Sequence, residues 1–313
     1  MAEALRVGVV GVGHLGQHHA RLYAALPAAH LVGIVDRDRD RATEIAARHD
    51  CRVFASVDAL LGEVDAVSVA VPTAAHLAVA GPALENGLAC LVEKPLAPDV
   101  AAARRLVDLA ARHASTLMVG HTERFNPALA AARPHVKRPG FIEAQRLASF
   151  TPRSLDVDVV LDVMIHDIDA VLDLVGERPV SVDAVGVSAL TDKVDLANAR
   201  LRFPGGCAAN LTASRMSLGR VRKLRIFQPD AYINIDCAAR EAMRYSLLPG
   251  SGDRPEIRGK MLGVVDAEPL ALELAEFIDA TRQRRTPRCS GEEGLAALAT
   301  AVEVVEQMNR VDA

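Results

Sequence analysis

The sequence predicts an α/β protein in two parts: a doubly wound parallel sheet, then an α+β domain with an open, mostly antiparallel sheet. Three observations predict it. The glycine loop Gly11-Val12-Gly13-His14-Leu15-Gly16 follows the apolar run 5–10 directly and opens a helix-like stretch. Up to residue 120, short apolar runs alternate with Ala/Leu/Arg-rich ones at helical spacing. After residue 123 that rhythm gives way to strand-like runs parted by turn residues, with no crossover helices between them.

The first five strands are expected at 5–10, 31–35, 65–70, 88–92 and 116–119. They are near-continuously apolar, as parallel strands covered on both faces must be. Helices are expected between them at 14–26, 38–49, 74–86 and 99–114. Beyond the junction a strand is expected at 141–150, and 157–175 reads as one long helix stopped by Gly176. Strands follow at 180–188, 195–203, 207–214, 222–228, 231–237 and 242–247, with Phe203-Pro204-Gly205-Gly206-Cys207 as a hairpin connection. The polar Gly/Pro stretch 249–268 reads as a loop, and helices at 269–284 and 291–308 close the chain. Two contiguous domains are expected, 1–122 and 123–313.

Composition narrows the function. A chain of 313 residues is long enough for two cores. A net charge of −4 without a basic block removes the electrostatic case for nucleic acid or an anionic membrane. The cysteines (51, 90, 207, 237, 289) are odd in number and form no CxxC pair, so reduced thiols are expected rather than disulfides or structural zinc. The N-terminal apolar run lacks the basic and small-residue flanks of a signal peptide. The longest apolar stretch, 64–84, is broken by Asp65, Pro72, His76, Gly81 and Pro82, so no membrane span is expected and the protein reads as soluble and cytoplasmic.

The glycine loop carries the first functional expectation. Gly11 permits the tight turn, Gly13 lets backbone approach a pyrophosphate, and Gly16 lets helix pack on strand. The helix N-terminus adds N–H donors and partial positive charge. The second apolar run ends in Asp36, 20 residues beyond Gly16, placed to accept from an adenosine ribose 2′-hydroxyl. That predicts a nicotinamide dinucleotide, with NAD favoured because a carboxylate repels a 2′-phosphate, although Arg37 and Arg39 blunt the preference.

Further segments sit where an open parallel sheet presents its ligand. Pro72, Thr73 and His76 follow the third strand, and Thr73 suits a helix cap or a cofactor contact. Glu93-Lys94-Pro95 follows the fourth. Expected cofactor contacts are therefore Gly11, Gly13, His14, Leu15, Gly16, Asp36, Arg37, Pro72, Thr73, His76, Glu93 and Lys94. Lys94 is either a solvated lysine or a group that hydrogen-bonds a substrate hydroxyl. Asp162 and His166, at i and i+4, share one face of the 157–175 helix, as a carboxylate-oriented general base would. The competing reading is a solvated polar face running through Asp158, Asp162, His166, Asp169 and Asp173. His14 and His18 imitate a metal pair without a third ligand nearby, and no metal is expected. Gly120–Pro127 (GHTERFNP) is polar and lies at the domain junction.

Together the glycine loop, Glu93-Lys94-Pro95, the Asp162-to-His166 helix and Ser290-Gly291-Glu292-Glu293-Gly294 resemble the Gfo/Idh/MocA (glucose–fructose oxidoreductase / inositol dehydrogenase) family over nearly the whole chain. The resemblance implies an N-terminal Rossmann domain, a C-terminal sheet that makes homodimers or homotetramers, and Lys94, Asp162 and His166 as the catalytic trio. This chain departs from the common pattern in having Asp158-Val159-Val160 before the helix and Met164 between the Asp and the His. That departure, with segments 150–169, 120–127 and 222–232, is similar to the subgroup acting on UDP-N-acetylglucosamine, whose 3-keto product feeds 2,3-diamino sugars of some lipid A types. The resemblance implies NAD-dependent oxidation of the sugar 3-hydroxyl, with substrate contacts at Lys94, Arg124, Asn126, Arg153 and His166. Arg124 and Arg153 are the candidates for the diphosphate, because a guanidinium bonds phosphate oxygens as a fork. A dehydrogenase of free sugar or inositol, a carbonyl or imine reductase, and an NAD(H)-binding sensor remain as alternatives.

Overall fold

The computed structural model describes residues 3–150, 157–248 and 256–311. Cα packing divides the chain into two compact units, Met1–Thr122 with Glu268–Leu295, and Glu123–Ala267 with Ala296–Ala313. One break between the units falls at Thr122, and the second unit is not contiguous. Residues 268–295 return to the first unit, a correction to the division 1–122 and 123–313.

In the first unit the chain runs β1 (Leu5–Val10), α1 (Gly16–Ala25), β2 (Ala29–Val35), α2 (Arg39–His49), β3 (Arg52–Val53), α3 (Val57–Leu61), β4 (Ala66–Val69), α4 (His76–Glu85), β5 (Ala89–Glu93), α5 (Val100–Arg112) and β6 (Leu117–Gly120). All strands pair in parallel, in the order β3-β2-β1-β4-β5-β6. Every residue of β4, β5 and β6 is buried, the signature of strands covered on both faces. The order reverses between β1 and β4, and a ligand binds outside the strand carboxyl ends at such a switch point. Asp38 and Asp99 start α2 and α5 by accepting from Arg41 N and Ala102 N. The short β3 and α3 carry too few residues for sequence periodicity to register.

The second unit continues with α6 (Pro127–Ala132), β7 (Phe141–Leu147), α7 (Ile165–Val175), β8 (Ser181–Val187), β9 (Leu196–Arg202), β10 (Ala208–Ser214), β11 (Val221–Gln228), β12 (Ala231–Asp236), β13 (Glu241–Leu248) and β14 (Glu256–Met261). The sheet order is β14-β13-β12-β11-β7-β10-β9-β8. Among the described residues, only the β7–β10 pair of this sheet is parallel. Alternate residues of β7, β10 and β11 face a core shared with α6 and α7, which includes Ile142, Ala144, Leu211, Leu224, Met164 and Ile168. Gly176 ends α7 at φ +76°, and Gly206 turns the β9–β10 hairpin at φ +84°. β14 corrects the expected loop at 249–268. Its side chains are all exposed, so it carries no alternation, and pairing with β13 makes it a strand.

Two helices end the chain, α8 (Pro269–Gln283) and α9 (Gly291–Val311). The α8 segment belongs to the first unit by specific contacts: Arg21 reaches Glu268, Thr122 Oγ1 donates to Glu273, and Ser290 bridges Met118 of β6. A Cβ at Gly291 or Gly294 would strike Leu117 or Val119, so these glycines let α9 begin against β6. No helix among the described residues is long and apolar enough to cross a membrane.

Candidate functional site

The glycine loop lies between β1 and α1. Gly11 adopts φ +86°, and a Cβ there would sit 2.7 Å from the Ala70 carbonyl oxygen. A Cβ on Gly16 would overlap the Gly11 carbonyl oxygen. Over Gly13 the space is open, the nearest neighbour being Arg41 Nη1 at 3.8 Å. These three environments match a turn, a close helix–strand contact and an approach path for phosphates. His14 and Leu15 are exposed at the start of α1. At the end of β2, Asp36 accepts from Val12 N at 2.7 Å and Asp38 N at 2.9 Å, so its carboxylate is fixed beside the loop, with Arg37 exposed next to it. A dinucleotide fits this half of the protein.

The other strand ends refine the expected contacts. Pro72 is exposed, and Thr73 lies in a 3-10 turn ahead of α4, whose N-cap position falls to Ala75. Thr73 therefore does not cap α4. The His76 ring is engaged by backbone carbonyls. It is 1% exposed, with Nδ1 3.1 and 3.2 Å from the Pro95 and Leu96 carbonyls and Nε2 3.0 Å from that of Val71. Its ring ties the turn after β4 to the turn after β5, and burial lowers its pKa.

Glu93 and Lys94 part company. Lys94 is half-buried at the end of β5. The Glu93 carboxylate instead turns inward: Oε1 lies 3.0 Å from His19 Nε2. His19 Nδ1 lies 3.1 Å from Ser68 Oγ, and Tyr23 Oη completes the chain at 2.8 Å. Burial pushes the Glu93 carboxyl up, but the His19 bond and charge, with Lys94, outweigh it and hold it below the usual carboxylate range.

In the second unit, 157–175 is not one α-helix. Val160–Met164 forms a π-turn, with Ile165 N donating to Val160 O, before α7 begins. Asp162 lies in the π-turn and His166 in the first turn of α7, both half-buried. Such widened turns recur at functional sites. The solvated-face reading fails along this helix. Asp169 is fully buried, and Arg124 donates to it through Nε at 2.7 Å and Nη2 at 2.8 Å. Asp173 accepts both fork nitrogens of Arg133, and Asp158 accepts from Val194 N.

Arg124 and Asn126 are both engaged by protein groups. Arg124 is 3% exposed and engaged by Asp169, with Asp173 3.5 Å from its Nη1. Asn126 is buried, caps α6 through Ala128 N, and donates to Glu123 and the Cys237 carbonyl. Arg153 lies outside the described residues.

Sequence reasoning missed a buried charge bridge beside His166. Arg146 on β7 donates to Asp167 (Nη2–Oδ1 2.6 Å) and to Glu123 (Nη1–Oε2 2.7 Å). The Arg146 guanidinium is held above its ordinary pKa despite burial. Burial raises the Asp167 carboxyl, and Arg146 only partly counters it. Arg222, opposite Arg146 on β11, stands 3.9 Å from Glu123. The available signal was Arg146 at an inward position of an otherwise apolar alternation, since a buried guanidinium requires carboxylates.

The sequence model of the oxidoreductase family with the NAD-binding Rossmann fold matches residues 5–121, and that of the GFO/IDH/MocA C-terminal domain matches 131–233. The chain belongs to the GFO/IDH/MocA oxidoreductase family. As a member it is an NAD-binding dehydrogenase, in accord with the loop geometry. Among curated relatives, it is 43% identical over 305 residues to the UDP-N-acetylglucosamine 3-dehydrogenase of Acidithiobacillus ferrooxidans, covering 96% of each chain. A solved structure of that enzyme superposes with a TM-score of 0.93 at 41% identity, covering 99% of each chain. A levoglucosan dehydrogenase solved with NADH and levoglucosan shares the fold at a TM-score of 0.89 and 21% identity, covering 98% of each chain.

Proposed function

We infer that this protein oxidises the 3-hydroxyl of UDP-N-acetylglucosamine to the ketone. The observation that carries this reading is its 43% identity, over 96% of both chains, to the dehydrogenase that bears that name. NAD+, when bound, supplies the hydride acceptor. Gly11, Gly13 and Gly16 would hold its pyrophosphate, Asp36 its adenosine ribose, and His14, Leu15, Arg37, Pro72 and Thr73 would add further contacts.

The protein's own residues handle the proton. His166 is the first choice to take the 3-hydroxyl proton, with Asp162 orienting the ring and stabilising its charged form. Lys94 would hydrogen-bond the reacting oxygen and stabilise the negative charge that develops there. The roles of His166 and Lys94 can be exchanged, and the pH profiles of the single variants distinguish the two assignments. Arg153 is the candidate for the diphosphate. The 3-keto product suits an aminotransferase that makes 2,3-diamino sugars.

The test mixes purified protein, NAD+ and UDP-N-acetylglucosamine, with L-glutamate and a sugar aminotransferase drawing off the ketone, and records NADH absorbance. The expected result is a rise that requires the UDP-sugar and falls by about 10²–10⁴ in Lys94→Ala and His166→Ala. Turnover of free sugars or inositol in its place, unaffected by added UDP, overturns the substrate assignment.

A further inference from the structure

The buried chain Tyr23–Ser68–His19–Glu93 joins two parts of the dinucleotide half that the proposed reaction uses separately. His19 and Tyr23 sit one turn apart on α1, the helix that begins at the glycine loop. Ser68 belongs to β4, and Glu93 ends β5, immediately before Lys94. His19, Tyr23 and Ser68 are 0% exposed and Glu93 6%, so the chain is largely sequestered from bulk solvent.

Donor and acceptor chemistry gives the chain a direction. An ionised carboxylate only accepts, so the His19 Nε2 proton points at Glu93 Oε1. In the neutral ring Nδ1 accepts from the Ser68 hydroxyl, and Ser68 accepts from Tyr23. If the ring is protonated, the Ser68 and Tyr23 hydroxyls reverse, and the bond to Glu93 persists. The other carboxylate oxygen, Oε2, accepts from Lys94 N at 3.3 Å. Space around the carboxylate is closed: a Cβ on Gly120 would lie 3.0 Å from Glu93 Cδ. Glu93 therefore has one orientation, fixed by His19 on one side and by β6 on the other.

We propose that His19 is a positioning residue: by holding Glu93 it sets the backbone and ammonium of Lys94, and so ties the placement of Lys94 to the helix that receives the cofactor phosphates. An unheld Glu93 would be a buried carboxylate without its strongest donor, a costly state relieved only by shifting the β5 end or taking up a proton. Either change displaces Lys94, and a displacement of about 1 Å costs about a hundredfold in rate at a reacting centre. The proposal rests on Lys94 being catalytic, as assigned above.

Two substitutions separate positioning from mere packing. His19→Gln retains an N–H donor near the Nε2 position and hence the Glu93 bond. His19→Asn retains polarity near Nδ1 and withdraws the donor from Glu93. In the expected result His19→Asn loses about 10- to 100-fold in kcat, with altered pH dependence and nearly unchanged KM for NAD+, and His19→Gln recovers most of that loss. A substrate-free readout accompanies it: the rate at which an amine-reactive reagent labels Lys94, followed by mass spectrometry, changes in His19→Asn and not in His19→Gln.

Equal losses in both variants, parallel to their falls in Tm and with wild-type Lys94 labelling, overturn the proposal. So do wild-type kcat and labelling in both. If the wild-type protein fails to turn over UDP-N-acetylglucosamine, the substrate reading falls while the labelling experiment still decides the role of His19.

Discussion

Arg124 and Asp169 meet as a two-pronged ion pair in which neither side chain is more than 3% exposed. Arg124 stands just before α6 and Asp169 in the middle of α7, so the pair fastens the chain after the domain junction to the helix carrying His166. Removing one partner leaves a buried charge uncompensated. Asp169→Ala is expected to cost about 3–5 kcal/mol of stability. Chemical denaturation of the full-length protein measures it, and an unchanged midpoint refutes it. Arg124→Leu with Asp169→Leu should restore much of the loss, because the stranded charge is then gone.

Gly11 holds φ +86° with the Ala70 carbonyl oxygen against its open side. Gly11→Ala combines left-handed backbone strain of about 1–3 kcal/mol with that clash. The expected outcome is at least a tenfold rise in Kd for NAD+, read by titrating NADH fluorescence.

Asp195 provides a test by pH. It is fully buried, and burial works to raise its pKa, but N–H groups of Leu190, Ala189 and Thr191 donate to Oδ2 at 2.6–2.9 Å and hold it at about 2. A carboxyl depressed below its unfolded value of 3.8 contributes stability above that value and loses it as pH falls toward the folded value. Asp195→Asn should therefore be less stable than wild type at neutral pH. The gap should close as pH falls from 3.8 toward about 2, followed by circular dichroism melts. A constant gap across that window contradicts the account.

On the outer face of the large sheet, Phe141, Phe227, Tyr232 and Tyr245 form a ladder with ring centroids 5.8, 4.8 and 5.4 Å apart. Phe227 is 41% exposed, and Val185 and Val187 on the same sheet are more than half exposed. The expected occupant of this face is a second copy of the chain, giving a homodimer or homotetramer. Tyr232→Glu should shift the protein toward monomer in sedimentation equilibrium. A wild-type monomer at micromolar concentration rules the interface out.

Local signals made the elements near the cofactor legible. The glycine loop, the acid ending β2 and the fully apolar strands are written in consecutive residues, because turn geometry and strand burial act over short range. β14 was illegible, since an exposed edge strand needs no apolar alternation. The π-turn at Val160–Met164 was illegible too, because one inserted residue barely disturbs helical spacing. The partners of Arg124, Asn126, Glu93 and His76 were illegible for a shared reason. Type and position mark each as polar and near a ligand, but only packing shows whether its polar atoms are already engaged.

By itself the sequence determined the doubly wound half, its dinucleotide loop and the family to which the chain belongs, since these rest on short-range pattern. Tertiary structure alone decided that 268–295 returns to the first unit, that Arg124 belongs to Asp169, and that His19 reaches Glu93. Those partners stand 45 and 74 residues apart. What joins them is the high cost of burying an unpaired charge, which acts on proximity in space and leaves no periodic trace along the chain.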